Sequence, residues 1–452
     1  MPLHRTPPSD ASLSVNPLFA HPGMGAIPKD RLPDGPMDPA VAYQAVHDEL
    51  LLDGNARQNL ATFVTTWMDP QARQLMAECA EKNMIDKDEY PQTAELEERC
   101  VKMIAGLWHA PGVAVGCSTV GSSEACMLGG LALKRRWQHR GGTGAPNLVM
   151  GANVQVVWEK FCGYWDVEPR YVPMQGERFH LDAETAVAHC DENTIGVVAI
   201  LGSTFDGSYE PVAEIAAALD ALQAERGIDV PLHVDAASGG FIAPFVDADL
   251  EWDFRLPRVA SINASGHKFG LVSPGVGWAL WRDHAALPEE LVYNVDYLGG
   301  NMPTFTLNFS RPGSQVVAQY YQFIRLGVAG FRSVQQECRN TALRVAAGLA
   351  ELDDVRVLTD GSELPVLAFT LADHVTDYTV YDVSERLRSR GWIVPAYQFP
   401  ADRQDLHVLR VVVRNGFGAD LADLFVTDVA RLLPRLAGNV RASAPEDVGF
   451  HH

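Results

Sequence analysis

A lysine follows an apolar, strand-like run in the segment SINASGHKFG at residues 261–270. Lysine side chains are mostly solvated, so a turn with Lys268 pointing into water is one interpretation. The neighbouring residues are Ala, Ser, Gly and His, however, and small side chains leave room beside the chain. In that setting the amine of Lys268 is also a candidate nucleophile that forms a Schiff base with a carbonyl compound.

Two further polar residues come directly after apolar runs. Thr204 follows AILGS, and Asp235 ends the run LHVD. Ligands of α/β sheets bind beyond the carboxyl ends of the strands, so we expect Thr204, Asp235 and Lys268 to lie close together. Taken alone, Asp235 is equally well interpreted as a helix cap or a turn residue. If it is buried, its carboxylate requires a cation or hydrogen-bond donors.

The segment GSSEACMLGG at residues 121–130 has the pattern of a helix start. Serine hydroxyls and free backbone N–H groups at a helix N-terminus form an anion site, most often for phosphate. An ordinary serine cap is the alternative interpretation. The segment matches neither GxxxxGK[ST] nor GxGxxG, so it does not indicate a nucleoside triphosphate or a dinucleotide.

Together these features fit one cofactor, pyridoxal 5′-phosphate. The helix start at Ser122 and Ser123 binds its phosphate, and Lys268 forms a Schiff base with its aldehyde. Asp235 keeps the pyridine nitrogen protonated, which makes the ring an electron sink. No residue pattern indicates a metal site.

The composition is that of a globular protein and narrows the function further. The chain has 452 residues, a net charge of −21 and a pI of about 5.0, which argues against nucleic-acid binding. It contains no apolar run long enough to span a membrane and no signal peptide pattern. The seven cysteines include no CxxC pair, so reduced thiols and a cytoplasmic location are expected.

The elements that position these residues alternate between strands and helices from about residue 100 to 285. Near-continuous apolar strands between helices predict an α/β layer with a mostly parallel sheet. After about residue 340 the pattern changes to a smaller α+β unit. We therefore predict an N-terminal arm and helix for oligomer contacts at 1–57, a large cofactor-binding domain at 58–340 and a small C-terminal domain at 341–452.

Four segments resemble the bacterial glutamate decarboxylases, which belong to the group II pyridoxal-phosphate-dependent decarboxylases. They are LDGNARQNLATF (52–63), GSSEACMLGG, HVDAASGGFIAPF (233–245) and SINASGHKFG. NMIDKDEYPQT (83–93) also points to the glutamate branch. The resemblance runs from about residue 40 to the closing GFHH. It implies fold type I, the fold of aspartate aminotransferase.

The resemblance also implies roles for individual residues. Lys268 matches the Schiff-base lysine, Asp235 the partner of the pyridine nitrogen, and His267 a catalytic neighbour near the phosphate. Arg414 matches an arginine that binds the substrate's α-carboxylate. Further matches for cofactor binding are Ser122, Ser123, Gln155, Thr204, Ser265 and Ser310, of which Ser310 reaches the phosphate of a neighbouring subunit. Matches for the distal carboxylate of the substrate are Thr62, Phe63, Asn83 and Asp86.

The implied reaction is the α-decarboxylation of L-glutamate to 4-aminobutyrate and carbon dioxide by a carbon–carbon lyase, and it consumes a proton. An aspartate beside a substrate carboxylate requires one of the two to be protonated, which predicts an acidic pH optimum and suits acid tolerance. His451 or His452 is expected to close the active site at neutral pH, because histidine changes charge between pH 5 and 8. A disordered tail is the alternative.

Two other functions stay open at this point. One is a decarboxylase or carbon–carbon lyase for another substrate on the same scaffold. The other is a catalytically silent, oligomeric binding protein, against which the presence of Lys268 and Asp235 argues. The resemblance implies a homo-oligomer of at least two subunits, and the choice between dimer and hexamer is open.

Overall fold

The computed structural model describes residues 28–295 and 302–437 and divides the chain into two compact units, residues 1–55 and 56–452. In the first unit, helix α1 covers Pro39–Leu50. The Asp38 carboxylate accepts hydrogen bonds from the N–H groups of Ala40 and Val41, and a proline occupies the first helical position. Both features are typical of a helix start.

The second unit contains the remaining helices and strands. The helices are α2 (Pro70–Glu78), α3 (Pro91–Leu107), α4 (Ser122–His139), α5 (Val156–Tyr164), α6 (Ala183–Ala188), α7 (Val212–Arg226), α8 (Ala243–Val246), α9 (Ser314–Ala350), α10 (Val380–Arg388) and α11 (Ala419–Ala437). The strands are β1 (Val115–Thr119), β2 (Asn147–Gly151), β3 (Glu168–Val172), β4 (Thr194–Ile200), β5 (Leu232–Asp235), β6 (Val259–Ala264), β7 (Gly277–Trp281), β8 (Tyr293–Val295), β9 (Met302–Thr304), β10 (Val355–Thr359), β11 (Val366–Leu371), β12 (Ala396–Gln398) and β13 (His407–Val412).

The larger sheet has seven strands in the order β1-β7-β6-β5-β4-β2-β3. The neighbours from β6 to β3 pair in parallel, and β7 runs antiparallel to both β1 and β6. Every residue of β4 and β6 is buried, as expected for parallel strands covered by helices on both faces. The carboxyl ends of β4, β5 and β6 therefore meet at one edge of the sheet.

A smaller antiparallel sheet has the order β10-β11-β13-β12. Leu367, Phe369, Leu409 and Val411 from its two central strands lie in a hydrophobic cluster of their own, together with residues of α10 and α11. The predicted change of pattern after residue 340 corresponds to this sheet.

Helix α9 links the two sheets. Val316 and Phe331 in its first part belong to the core of the large sheet, whereas Val345 and Leu349 belong to that of the small sheet. The predicted boundary at 340/341 thus falls inside a helix, and the division into 58–340 and 341–452 stays a prediction.

Within the described ranges, no helix is long and apolar enough to cross a membrane. All seven cysteines are free thiols, and most of them are buried.

Candidate active site

A cavity of about 290 Å³ opens beyond the carboxyl ends of β4, β5 and β6. It lies where the sequence predicted a site, because parallel strands end at the same edge of the sheet. The predicted residues that line it are Ser122, Ser123, Gln155, Thr204, Asp235, Ser265, His267 and Lys268.

Lys268 stands in the turn after β6, and its amine faces the cavity. Nζ donates a hydrogen bond to Ser238 Oγ at 3.2 Å and lies 5.2 Å from the centre of the Phe63 ring. The Thr65 hydroxyl donates to the Lys268 carbonyl at 2.5 Å, which holds the backbone of the turn. Burial lowers the pKa of Lys268, with Asp235 opposing the shift and Arg410 adding to it. A larger share of the amine is therefore unprotonated and nucleophilic than in a solvated lysine.

Asp235 ends β5 and is buried, with only 5% of its surface exposed. Oδ1 accepts hydrogen bonds from Asn263 Nδ2 at 2.9 Å and from the Ala237 N–H at 3.1 Å. Oδ2 accepts from Trp158 Nε1 at 2.9 Å and from the Cys126 thiol at 3.6 Å. These donors meet the hydrogen-bonding requirement that the sequence analysis predicted for a buried Asp235. All of them are neutral, so the carboxylate can also pair with a protonated ring nitrogen in the cavity.

The start of α4 forms the opposite wall. Ser122 Oγ lies 2.7 Å from Ser265 Oγ, so two hydroxyls converge beside the free N–H groups of the first helical turn. A Cβ atom on Gly121 would stand 2.9 Å from Cε1 of His267, so only glycine permits this approach. Hydroxyls, helix N–H groups and an imidazole are the donors that a phosphate group requires.

His267 packs beside this helix start. Nδ1 accepts hydrogen bonds from the N–H groups of Gly275 at 3.4 Å and Val276 at 3.3 Å. Burial lowers the pKa of His267 to about 4, and the positive charge of the neighbouring Lys268 contributes to this shift. The imidazole is therefore neutral in the cofactor-free protein, and its proton is on Nε2.

Gln155 and Thr204 form the remaining wall. The Gln155 side chain accepts a hydrogen bond from the Val157 N–H at 2.7 Å and so caps helix α5. The Thr204 carbonyl accepts from the guanidinium of Arg410 at 2.5 Å.

Arg410 lies in β13 and was not predicted as a site residue. Its guanidinium carbon lies 4.7 Å from the centre of the Phe63 ring, and it donates to the Ala61 carbonyl at 2.7 Å. Its Nε has no hydrogen-bond partner among the described residues. The sequence does contain a signal for Arg410, because a charged residue within the apolar run LHVLRVVV indicates a functional side chain.

Arg414, the predicted partner of the α-carboxylate, has both terminal nitrogens engaged by the segment 59–66, while its Nε, like that of Arg410, has no hydrogen-bond partner among the described residues. It donates to the carbonyls of Asn59 and Val64 and to the Thr66 hydroxyl at 2.6 Å. Neither arginine is among the residues that line the cavity, but the Arg410 guanidinium bonds to the carbonyl of Thr204, which does line it. The structure therefore favours Arg410 over Arg414 for a substrate carboxylate, because Arg410 lies beside Thr204 and the Phe63 ring that Lys268 faces.

The residues predicted for the distal carboxylate fall into two places. Phe63 lies beside Lys268, and the hydroxyl of Thr62 accepts from the Val64 N–H at 3.0 Å. Asn83 instead donates to Ser310 Oγ at 3.3 Å, and the Asp86 N–H donates to the Asn83 carbonyl at 3.2 Å. Asn83, Asp86 and Ser310 thus form one cluster, and none of them lines the cavity.

His451 and His452 lie outside the described residues. Within residues 28–295 and 302–437, no group of His, Cys, Asp and Glu side chains is arranged to hold a metal ion.

Comparisons with known proteins converge on one family. Residues 33–372 match the family described as "Pyridoxal-dependent decarboxylase conserved domain". A glutamate decarboxylase from Aliivibrio fischeri is 52% identical over 439 residues, covering 94% of each chain. Glutamate decarboxylase 5 from Arabidopsis thaliana is 50% identical over 440 residues, covering 95% of this chain and 89% of its own.

A solved structure shows the same fold. The glutamate decarboxylase of Lactobacillus brevis superposes with a TM-score of 0.90 and 45% sequence identity, covering 92% of this chain and 97% of its own. This similarity confirms the predicted fold class.

Proposed function

Because this chain belongs to the family of pyridoxal-dependent decarboxylases, we propose that it releases the α-carboxyl group of L-glutamate as carbon dioxide and forms 4-aminobutyrate. The observation that carries the proposal is the meeting of Lys268, Asp235 and the start of α4 in one cavity, in a chain about half identical to glutamate decarboxylases. One proton is consumed for each glutamate, which suits a role in acid tolerance.

Pyridoxal 5′-phosphate, when bound, supplies a covalent link to an amino group and a ring that accepts the electron pair of the broken bond. The residues present fit this cofactor. Ser122, Ser123, Ser265 and His267 would hold its phosphate, and Lys268 Nζ would hold its aldehyde carbon. Asp235 would keep the proton on the ring nitrogen, since its carboxylate is surrounded by neutral donors alone.

Substrate orientation is the second task of the site. We assign the α-carboxylate to Arg410, whose planar guanidinium suits a bidentate pair with a carboxylate. Stacking on Phe63 and the bond to Thr204 hold that guanidinium in place. Arg414 then acts as a positioning residue, because it fastens the segment 59–66 that carries Phe63.

The distal carboxylate of glutamate is assigned to Thr62, Phe63, Asn83 and Asp86. Because Asn83, Asp86 and Ser310 do not line the cavity, we propose that they serve the site of a neighbouring subunit. Exposed apolar side chains beside Ser310, Leu307 (46% exposed) and Phe309 (44% exposed), support an interface at this segment. The free cysteines agree with the proposed cytoplasmic location.

The test is carbon dioxide release from L-glutamate, L-aspartate and the aromatic amino acids by the purified holoenzyme. We expect release from L-glutamate only, and none from the Lys268→Ala variant. Release from another amino acid but not from glutamate would establish the alternative, a decarboxylase for a different substrate.

A further inference from the structure

Four buried polar side chains form a continuous hydrogen-bonded chain that ends at Asp235. Ser261 Oγ lies 2.7 Å from His233 Nδ1, and His233 Nε2 lies 2.7 Å from Asn263 Oδ1. Asn263 Nδ2 lies 2.9 Å from Asp235 Oδ1. None of the first three residues lines the cavity, so they reach the candidate active site only through Asp235.

The strand register explains this arrangement. His233 pairs with Ser261, and Asp235 pairs with Asn263, in the adjacent parallel strands β5 and β6. Side chains two residues apart point to the same face of a strand, so all four share one face. The space around them is closed: a Cβ atom on Gly129 would stand 2.5 Å from Cε1 of His233. The Trp158 ring also packs edge-on against His233, with the ring centres 5.1 Å apart.

The charge on Asp235 sets the direction of every bond in this chain. An ionised carboxylate only accepts hydrogen bonds, so Asn263 must present its NH₂ group to Asp235 and its oxygen to His233. His233 must then donate from Nε2. Burial lowers the pKa of His233, so the ring is neutral and Nδ1 accepts. Ser261 must therefore donate its hydroxyl proton to Nδ1.

Loss of the His233 donor would weaken the hold on the Asn263 amide. Without a donor at His233 Nε2, the Asn263 amide loses one of the two bonds that fix its orientation. A rotated amide would turn its oxygen toward the Asp235 carboxylate, and two acceptors would then face each other. Such an arrangement disfavours the ionised carboxylate, as a nearby like charge does.

We propose that Ser261, His233 and Asn263 act as positioning residues that hold the Asp235 carboxylate in place and aimed at the protonated ring nitrogen of the bound cofactor. The inference rests on the pyridoxal-phosphate site assigned above, and it does not depend on which amino acid is the substrate. It adds to the site three residues of β5 and β6 that do not line the cavity themselves.

The test measures cofactor binding by the holoenzyme without substrate. The variants are Ser261→Ala, His233→Phe, His233→Gln and Asn263→Asp, and the readouts are the dissociation constant for pyridoxal 5′-phosphate and the absorption spectrum of the bound cofactor. We expect binding to weaken about tenfold in His233→Phe and about 100-fold in Asn263→Asp, with a changed spectrum in both. His233→Gln retains an N–H donor and should restore part of the loss.

Thr194→Val is the matched control. Thr194 is a buried residue at the opposite end of β4, and its hydroxyl donates to Asn147 Oδ1 at 2.8 Å. This variant should lower the melting temperature while leaving cofactor affinity and spectrum unchanged. Ser261→Ala removes only one hydroxyl, so it provides a folded variant if the larger changes prevent folding.

A double variant tests the serial order. If His233 acts through Asn263, His233→Phe should add little further loss of affinity in an Asn263→Ala background. Equal losses in both backgrounds would overturn the inference, as would variants that change only the melting temperature. A failure of glutamate decarboxylation would instead leave these cofactor measurements unaffected, so the two proposals are tested separately.

Discussion

Arg410 in β13 and Arg414 just beyond it both contact the segment 59–66, but only Arg410 also contacts Thr204 at the cavity. Arg410 spans the Phe63 ring and the Thr204 carbonyl at the cavity. Arg414 is buried against the segment 59–66, where burial lowers the pKa of its guanidinium to about 10. We therefore propose that Arg410 serves the substrate and that Arg414 serves the fold.

Substituting each arginine separates these roles. We expect Arg410→Gln to lower kcat/KM for L-glutamate by about 10² to 10³, because a charged hydrogen-bond partner of the substrate is lost. Arg414→Gln should mainly lower the melting temperature, since it leaves backbone carbonyls without donors. Steady-state kinetics and thermal unfolding measure the two effects. A larger kinetic loss in Arg414→Gln than in Arg410→Gln would show that Arg414 binds the α-carboxylate of the substrate.

His267 makes the stability of the cofactor-free protein depend on pH. Its pKa in the folded state is depressed to about 4, against about 6.5 when unfolded. The group therefore contributes stability that is fully present above pH 6.5 and is lost as the pH falls through 4. The contribution is at most about 3 kcal/mol.

We expect His267→Gln to lose less unfolding free energy than the wild type between pH 6.5 and pH 4. Urea unfolding of the two cofactor-free proteins at both pH values provides the measurement. His139→Gln is the control, because His139 is exposed and makes only a surface ion pair with Glu290. Parallel pH dependence of His267→Gln and the wild type would contradict the prediction.

At the scale of single elements, helix α9 is interrupted at Gly327, within the part that packs on the large sheet. Gly327 has φ 55° and ψ −173°, a left-handed backbone conformation that only glycine adopts without strain. Val316 before the bend and Phe331 after it both belong to the core of the large sheet, and Val345 farther along the helix packs on the small sheet.

The expected result of Gly327→Ala is a loss of about 1 to 3 kcal/mol in the free energy of unfolding. Gly163 in α5 is the control, because a Cβ atom there would meet nothing within 4 Å. Gly163→Ala should be neutral or stabilise by up to about 1 kcal/mol. Denaturant titration of both variants measures these changes. An unchanged stability of Gly327→Ala would contradict the prediction that this backbone conformation requires glycine.

At the scale of the whole molecule, we propose from the sequence that His451 or His452 closes the active site at neutral pH. Histidine loses its charge as the pH rises through the neutral range. Deleting residues 450–452 should therefore leave more decarboxylase activity at neutral pH while the activity at acidic pH stays the same.

A full pH profile of glutamate decarboxylation measures this effect. The double variant His451→Ala/His452→Ala removes both imidazoles but keeps the chain length, so it is the matched control for the deletion. Identical profiles for the deletion and the wild type would refute a regulatory role for either histidine.

Much of the site was predictable from the sequence because its main residues stand in local patterns. Lys268, Asp235 and Thr204 each follow an apolar run, and Ser122 and Ser123 open a helix. Parallel strands buried on both faces read as continuous apolar segments, so the α/β class followed from the same runs. These features depend on neighbours in the chain and need no knowledge of distant contacts.

Other parts depended on which side chains meet across the fold. Arg410 and Arg414 have equally plausible positions in the sequence and both contact segment 59–66, so only the contact of Arg410 with Thr204 distinguishes them. Asn83 and Ser310 meet across 227 residues of chain, so no local pattern links them.

The sequence by itself determined the cofactor chemistry, because the nucleophile, the carboxylate and the helix start each carry a local signature. The tertiary structure decided which donors hold the carboxylate of Asp235. Asn263 donates to it through the register of β5 against β6, which is set by the pairing of whole strands, and Trp158 donates to it from helix α5. Hydrogen-bond partners across a sheet follow from that register, and the register is a property of the folded molecule.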